Sequence, residues 1–400
     1  MPSTTYTPNR GSQAPSEPIP ERAITRLPAL TGLRIFAALA VYASHVGPPH
    51  GVSSGLKAFF ESGYMGVTLF FILSGFVLTI NYFDRLLHPT AQAIQRFAVA
   101  RFARIYPLYI LILFYILVRQ HAFGGSIGGW WEHVLMVQAW DTNLAQTYNF
   151  DGPAWSLSVE LFLYASFPIL VLILARLRTT RIVLLAVTSI ALAMTALTTW
   201  FVLTNRAQLP WVNPQSAHHW LYVIPITRLG DFALGILTAR LYVQLRDSTP
   251  ITRAGGPLTV VATLVIVALM AWPANVYSAW SWDIAYAIPG IALIFGLAIA
   301  PSSVPARLLS LPALVLLGES SYAFYLIHQP GLEYFDAGRW AVALSMTTVL
   351  YEALTLGAII CLAIGLHIAV ERPARLYIRR LSDFRPRHAR RLLDLVKHTS

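Results

Sequence analysis

Ten stretches of apolar residues, each about as long as a membrane-spanning helix, recur along this 400-residue chain. Only 12% of the residues are charged and 56% are hydrophobic, whereas water-soluble globular proteins carry about 25% charged residues. We therefore predict an all-α, polytopic membrane protein with about ten transmembrane helices. The predicted helices cover residues 30–46, 64–82, 102–118, 155–175, 182–204, 218–239, 257–273, 282–300, 309–330 and 341–370.

Lysine and arginine residues fall mostly on one side of these helices. With both termini in the cytoplasm, 23 of the 29 basic residues lie in cytoplasmic segments. Because basic residues are enriched in cytoplasmic loops, this bias predicts that both termini are cytoplasmic. The outer loops contain only four basic residues, Lys57, Arg119, Arg206 and Arg339.

The ends of the chain differ in composition from the apolar region between them. Residues 1–27 are rich in Pro, Ser and Thr, and we predict a disordered cytoplasmic tail. Residues 28–377 form the predicted transmembrane domain, and residues 378–400 a basic cytoplasmic tail. The net charge of +11 requires no nucleic-acid partner, because the C-terminal sequence RLYIRRLSDFRPRHARR is expected to lie against anionic lipid headgroups.

The first predicted helix contains two ionisable side chains, Arg34 and His45. A charged side chain inside a membrane costs about 2.5–3.5 kcal/mol on insertion scales, so such residues usually face the protein interior and serve a function. Eleven steps of about 100° return to nearly the same helix face while rising roughly 16 Å. We expect both side chains to face one groove, with Arg34 toward the cytoplasm and His45 toward the outer surface.

Two further titratable residues are expected near the outer surface. The fourth predicted helix runs inward from the motif PAWSLSVELFLY, which contains Ser156 and Glu160. The ninth runs outward through LGESSYAFYLIH, so Ser320 is expected in the cytoplasmic half and His328 near the outer end. We predict that His45, Glu160 and His328 converge at a similar depth.

Two further pairs of charged residues are candidates for a functional role. Arg101 and Arg104 lie three residues apart in RFARIYPLY, on one helix face, and guanidinium groups bind phosphate oxygens in a bidentate manner. Alternatively, the two arginines only mark the cytoplasmic end of the helix, where basic residues are enriched. Arg228 and Asp231 are also three apart, and either a structural ion pair or a functional one explains them equally well.

Seven motifs in this chain follow the order found in one family. They are LPALTGLRIFAALAVYASHV, GYMGVTLFFILSGFVLT, RFARIYPLY, PAWSLSVELFLY, RLGDFALGI, LGESSYAFYLIH and ERPARLY. The chain therefore resembles the membrane-bound acyltransferase 3 family. The resemblance implies an O-acyltransferase of the bacterial cytoplasmic membrane. Such an enzyme transfers an acyl group, other than an amino-acyl group, to a hydroxyl acceptor. The donor is acyl-CoA, often acetyl-CoA.

The resemblance also implies roles for individual residues. His45 corresponds to the essential histidine of the family and Arg34 to its partner in an Arg-x10-His motif. Arg101 and Arg104 correspond to an Arg-x-x-Arg pair, and Glu160 to the acid of the SLSVE motif. No permanently bound cofactor and no metal are expected, since acyl-CoA is a substrate.

These residues suggest a mechanism of acyl transfer. A base must accept the proton of the acceptor hydroxyl, and histidine suits this task because its usual pKa is near 6.5. We expect His45 to be this base, Arg101 and Arg104 to hold the CoA phosphates, and Arg34 to guide the donor. Glu160 would orient the imidazole or bind the acceptor. Direct transfer and an acyl-histidine intermediate both stay open.

A transporter for an anionic or lipid-linked substrate, using the same polar groove, is the alternative function. No matching pair of interrupted helices marks a midplane binding site in the sequence, which favours the enzyme. The expected acceptor is an envelope glycan or a glycosylated small molecule such as a macrolide sugar. The sequence leaves the acyl chain length and the oligomeric state open.

Overall fold

The computed structural model describes residues 27–336 and 345–383. The described residues form helices joined by turns and contain no β-strand, which confirms the all-α prediction. Eleven of the described helices have 12 or more residues. They are α1 (Pro28–Val46), α2 (Met65–Leu86), α3 (Ala91–Ala122), α4 (Trp155–Leu174), α5 (Thr180–Leu203), α6 (Leu229–Leu245), α7 (Thr249–Met270), α8 (Ile284–Ile299), α9 (Pro312–Tyr334), α10 (Met346–Leu366) and α11 (Arg372–Asp383).

Seven segments of the described chain are long and apolar enough to cross a membrane. Large apolar side chains such as Phe114, Leu185 and Leu264 are exposed on the outer faces of these helices, where a bilayer would cover them. The chain is therefore an integral membrane protein. The ten crossings and the cytoplasmic position of the termini stay predictions. The predicted outer residue Arg339 and most of both predicted tails lie outside the described residues.

Several helices differ from their predicted bounds, and two of them show the physical reason. The helix predicted over 218–239 is interrupted, because a π-helix ends at Val223 and α6 begins only at Leu229. Ile224 is extended, as expected for a residue that precedes a proline. Helix α3 begins well before the predicted residue 102, because the Thr90 hydroxyl accepts a hydrogen bond from the amide of the third helical residue at 3.1 Å. The Arg-x-x-Arg pair thus lies inside the helix and not at its start.

Glycine residues allow the central helices to approach each other closely. A Cβ atom added at Gly318 of α9 would overlap the backbone carbonyl oxygen of Thr31 on α1. Helices α2 and α6 cross in the same way, since Cβ atoms at Gly75 and Gly235 would meet backbone atoms of the opposite helix. Small residues at such crossings are a common means of association between membrane helices. The crossing at Gly318 holds α1, which carries Arg34 and His45, against α9.

We expect Gly318→Ala to destabilise the protein, because neither backbone can move away without displacing a whole helix. The melting temperature in detergent should fall by several degrees, in line with a loss of roughly 1–3 kcal/mol. Gly365→Ala in α10 is the matched control, because a Cβ atom there meets open space and alanine favours the helix. Equal melting temperatures for the two variants would contradict the close crossing.

Candidate active site

Helices α1, α2, α3, α4 and α9 surround a cavity of about 120 Å³, which has space for roughly four water molecules. Its walls combine apolar residues with charged groups and hydroxyls. The cavity is therefore a narrow polar space inside an apolar bundle. The polar residues that line it are Arg34, Ser74, Arg101, Arg104, Ser156, Glu160, Tyr164, Ser321, Tyr322 and Tyr325.

Glu160 lies at one end of this cavity and is held by two hydroxyl groups. Ser74 of α2 donates a hydrogen bond to its Oε1 atom at 3.1 Å. The Tyr164 hydroxyl, one turn further along α4, donates to the same oxygen. These bonds fix the carboxylate beside the arginine residues that line the cavity, because hydrogen bonds to a carboxylate are charge-assisted.

Arg34 and Arg101 bring positive charge into the cavity, and the predicted arginine positions are thus brought together. Arg101 donates a hydrogen bond from Nη2 to the Tyr82 hydroxyl at 3.1 Å, and its guanidinium lies over the rings of Tyr82 and Tyr164 at 5.1 and 5.6 Å. Such ring contacts stabilise a cation without neutralising it. Within the described part of the chain, Arg34 forms no ion pair with a carboxylate.

Arg104 also lines the cavity, but it is ion-paired. Its guanidinium contacts the carboxylate of Glu371, which lies in the π-helix His367–Glu371 between α10 and α11. The same carboxylate is 3.0 Å from the Nδ1 atom of His367. Arg104 therefore links α3 to the C-terminal helices, which makes it a structural residue as well as a candidate for phosphate binding.

Ser156 and Tyr325 lie at the other end of the cavity. The Ser156 hydroxyl donates to the carbonyl oxygen of Pro153 at 2.9 Å and lies 2.8 Å from the Tyr325 hydroxyl. Both residues are buried. Because the hydroxyl proton of Ser156 is engaged by a carbonyl, this residue positions Tyr325 and does not present a free nucleophile.

His45 and His328 meet just beyond Tyr325. Their ring centroids are 5.0 Å apart in an edge-on arrangement, and the His328 ring centroid is 5.5 Å from that of Tyr325. His328 is completely buried, whereas His45 is exposed and does not line the cavity. The two predicted histidines are therefore brought together at one end of the site.

Hydrogen bonds to carbonyl groups determine the tautomer of both rings. The Nδ1 atom of His45 is 2.8 Å from the carbonyl oxygen of Val41, and that of His328 is 2.6 Å from the carbonyl oxygen of Tyr325. A carbonyl only accepts, so in each neutral ring Nδ1 carries the proton and Nε2 keeps its lone pair. The Val41 carbonyl, and not Glu160 as expected, orients the imidazole of His45.

Glu160 does not share the depth of the two histidines, contrary to the sequence-based expectation. Ser156 meets Tyr325, and Glu160 follows Ser156 by four residues while Tyr325 precedes His328 by three. Helices α4 and α9 run in opposite directions from this contact, since Ser321 and Tyr322 line the cavity with Glu160, so Glu160 and His328 are roughly 10 Å apart along the helix axes. The site thus has an arginine end with Glu160 and a histidine end, joined through Tyr325.

Arg228 and Asp231 form a separate and completely buried ion pair, 2.9 Å apart. The guanidinium also donates to the carbonyl oxygens of Leu221 and Trp282, at 3.1 and 2.7 Å, and to the Thr68 hydroxyl at 2.7 Å. These partners connect the start of α6 to α2, to the π-helix that precedes α6 and to the short helix Ala279–Trp282 that precedes α8. Since the pair does not line the cavity, the geometry favours the structural explanation of the two left open by the sequence.

Ser320 is not part of the cavity either. Its hydroxyl donates to the carbonyl oxygens of Leu316 and Leu317 within its own helix, whereas the neighbouring Ser321 faces the cavity. Sequence reasoning missed Ser74, Tyr82, Tyr164, Tyr325 and Glu371. Helical spacing would have indicated Tyr164, which follows Glu160 by four residues on α4. The other missed residues lie outside α4, so their distance from Glu160 does not follow from spacing along this helix. No group of metal-binding side chains occurs among the described residues.

An unpaired acid, Asp151, lies just before α4. Its side chain is 3% exposed, and neither carboxylate oxygen accepts a hydrogen bond from a described residue. Burial raises the pKa of Asp151 well above its usual value, and the nearby charge of Glu333 raises it further. We expect Asp151 to be protonated in the folded protein over a wide pH range.

Comparison with known proteins identifies the family. The model of the acyltransferase domain family (acyltransferase 3) matches residues 27–368. The chain belongs to this acyltransferase family. It is therefore an acyl-transferring membrane enzyme, as predicted, and this favours the enzyme over the transporter.

Individual relatives agree with this assignment. The acyltransferase MdmB of Streptomyces mycarofaciens is 31% identical over 371 residues, which cover 88% of this chain and 92% of the relative. The O-acetyltransferase OatA of Staphylococcus aureus is 22% identical over 360 residues, or 82% of this chain and 55% of the relative. A putative O-acetyltransferase of S. aureus strain COL is 24% identical over 334 residues, or 76% and 50%. The chain thus spans about half the length of the staphylococcal relatives. No solved structure shows significant similarity to it.

We expect Arg228→Met to destabilise the protein by about 3–5 kcal/mol, because it leaves Asp231 buried and unpaired. The double variant Arg228→Met/Asp231→Leu should recover part of the melting temperature, since Asp231 is no longer left unpaired and the nearby buried Asp283 keeps its hydrogen bond from the Thr198 hydroxyl. Acyl transfer by the double variant should stay near the wild-type level if the pair is purely structural. Loss of transfer by a stable double variant would instead support a functional role.

Asp151 predicts a pH-dependent stability. An unfolded aspartate ionises near pH 3.9, whereas the buried one stays protonated, so wild-type stability should fall as pH rises from about 4 toward the raised pKa. The loss is up to about 1.4 kcal/mol for each pH unit in this window. Asp151→Asn removes this titration, so the melting temperature of the variant minus that of the wild type should increase from pH 4 to pH 8. A difference independent of pH would contradict the protonated state.

Proposed function

We propose that this enzyme transfers an acyl group, expected to be acetyl, from acyl-CoA to a hydroxyl group of a glycan or glycosylated small molecule. In this proposal it works in the bacterial cytoplasmic membrane. The donor approaches from the cytoplasm and the acceptor from the outer surface. The observation that carries the proposal is the arrangement of the site, in which arginines occupy one end and an accessible imidazole the other.

The arginine end is suited to an anionic thioester. Arg34 forms no ion pair among the described residues, and Arg101 is held by aromatic rings and a phenol, so both retain positive charge for a negatively charged donor. The cavity of about 120 Å³ suits the thioester end of a narrow chain such as the pantetheine arm. The nucleotide would remain at the cytoplasmic mouth. Glu160 then acts on the donor side, where it balances part of the arginine charge.

The histidine end is suited to general base catalysis. The hydrogen bond from Nδ1 of His45 to the Val41 carbonyl leaves the Nε2 lone pair free, and His45 is exposed to an incoming acceptor. His328 packs against this ring from the buried side and limits its movement.

In the proposed reaction, Nε2 of His45 takes the proton of the acceptor hydroxyl while the oxygen attacks the thioester carbonyl carbon. The carbon–oxygen bond forms, the carbon–sulfur bond breaks, and the thiolate of CoA takes the proton from the imidazolium. The products are an ester and free CoA thiol. In the covalent variant of this mechanism, Nε2 itself attacks the thioester carbonyl carbon and the CoA thiolate leaves. The acceptor oxygen then attacks the acyl carbon, the carbon–nitrogen bond breaks, and the hydroxyl proton passes to the thiolate.

We expect His45→Ala to lower product formation at least 100-fold, because general base catalysis contributes about 10²–10⁴-fold. Mass spectrometry of glycans and metabolites from cells with and without the wild-type protein would first identify the acylated product. The same cells would then carry His45→Ala at an equal protein level. His50→Ala is the matched control, since this exposed histidine lies five residues further along, beyond the end of α1.

A folded His45→Ala protein with wild-type product levels would rule out the proposed base. Incubation of membranes with labelled acetyl-CoA without acceptor distinguishes the two mechanisms. Label retained on wild-type protein but absent from His45→Ala would support the acyl-histidine intermediate, whereas an unlabelled protein that still forms product would support direct transfer.

A further inference from the structure

The C-terminal helix α11 presents a row of arginine residues to the arginine end of the cavity. Arg372, Arg375 and Arg379 are spaced so that they share one face of the helix. Helix α11 packs against α3, the helix that carries Arg101 and Arg104. Arg380 lies about 140° around the helix from Arg375, and its side chain is exposed. Only one face of α11 therefore meets the site.

A single phenol connects this face to the cavity. The Tyr82 hydroxyl accepts hydrogen bonds from Nη2 of Arg101 at 3.1 Å and from Nη2 of Arg379 at 3.3 Å. Two guanidinium groups from different helices thus converge on one neutral oxygen atom. Like charges held this close repel each other, so the arrangement is stabilised when an anion binds between them.

Acidic residues compensate only part of the charge at this end. Glu371 pairs with Arg104, and Glu160 is held by Ser74 and Tyr164. Glu319 is largely exposed and lies 3.9 Å from His367. The described arginines at this end are Arg34, Arg101, Arg104, Arg372, Arg375 and Arg379. Among the described residues, Arg34, Arg101 and Arg375 form no ion pair with a carboxylate, and such cations suit a ligand with several phosphate groups.

We infer that Arg375 and Arg379 of α11, together with Arg101, bind the phosphate groups of the nucleotide part of CoA. The inference rests on the proposed acyl-CoA donor and adds to it the helix that recognises the nucleotide. The expected lipid contact of the C-terminal basic sequence is thereby replaced, for this face of α11, by a contact with the donor. Anionic lipid headgroups carry the same phosphate chemistry, so the test separates the two sources.

Binding of CoA to the full chain in nanodiscs of neutral phosphatidylcholine tests the inference. We expect Arg375→Gln/Arg379→Gln to weaken CoA binding at least tenfold and to flatten its dependence on salt concentration. Arg380→Gln is the matched control, with one charge removed from the opposite face, and should change the dissociation constant less than twofold. In the activity assay, the double variant should raise KM for the donor while kcat and KM for the acceptor stay near wild type.

Three other results of these measurements would contradict the inference or the proposed donor. Wild-type affinity for CoA in the folded double variant would overturn the role of α11 while leaving the acyl-CoA donor intact. In a second set of nanodiscs that also contains phosphatidylglycerol, loss of bound phosphatidylglycerol from the double variant, with unchanged CoA affinity, would assign the arginines to lipid and also overturn the inference. No CoA binding by the wild type would instead reject the proposed donor itself. Since Arg379 is exposed, the single variant Arg379→Gln serves if the double variant does not fold.

Discussion

Gly318 brings the backbone of α9 into contact with the Thr31 carbonyl on α1, and the side chains further along both helices face each other as a result. Arg34 follows this crossing by one turn and lines the cavity, while His45 lies near the end of α1 against His328. The two ends of the candidate site are therefore positioned by one helix–helix contact. Small residues make this possible, because side chains at the crossing would separate the helices.

Two arginines within the same helix bundle have different kinds of partner. Arg228 has a carboxylate, two carbonyls and a hydroxyl as partners, and it does not line the cavity. Arg101 has a phenol and aromatic rings, which support its charge but leave it uncompensated. In a medium of low polarity an uncompensated cation is costly. This difference is the reason why Arg101, and not Arg228, is assigned to a ligand.

In the proposed mechanism, the separation of the site into two ends gives each part of the reaction its own chemical environment. An anionic donor and a neutral hydroxyl acceptor need opposite environments, and an imidazole next to several arginines would be harder to protonate. Roughly 10 Å along the helix axes between Glu160 and His328 separates the proposed base, His45, from the arginines. Ser156 and Tyr325, which hydrogen-bond to each other between the two ends, form the wall along which a thioester would pass.

The sequence by itself determined the helical membrane fold, because long apolar stretches have no other stable arrangement in a bilayer. It also determined the family, through the order of its motifs. The predicted common groove of Arg34 and His45 stays a prediction, because Arg34 lines the cavity and His45 does not. Only the tertiary structure decided that Glu160 lies with the arginines, that Arg104 pairs with Glu371, and that Ser320 faces its own backbone. These facts depend on helix depth, rotation and crossings between distant segments, which no local pattern encodes. The same is true of Tyr82, whose role follows from arginines on two other helices.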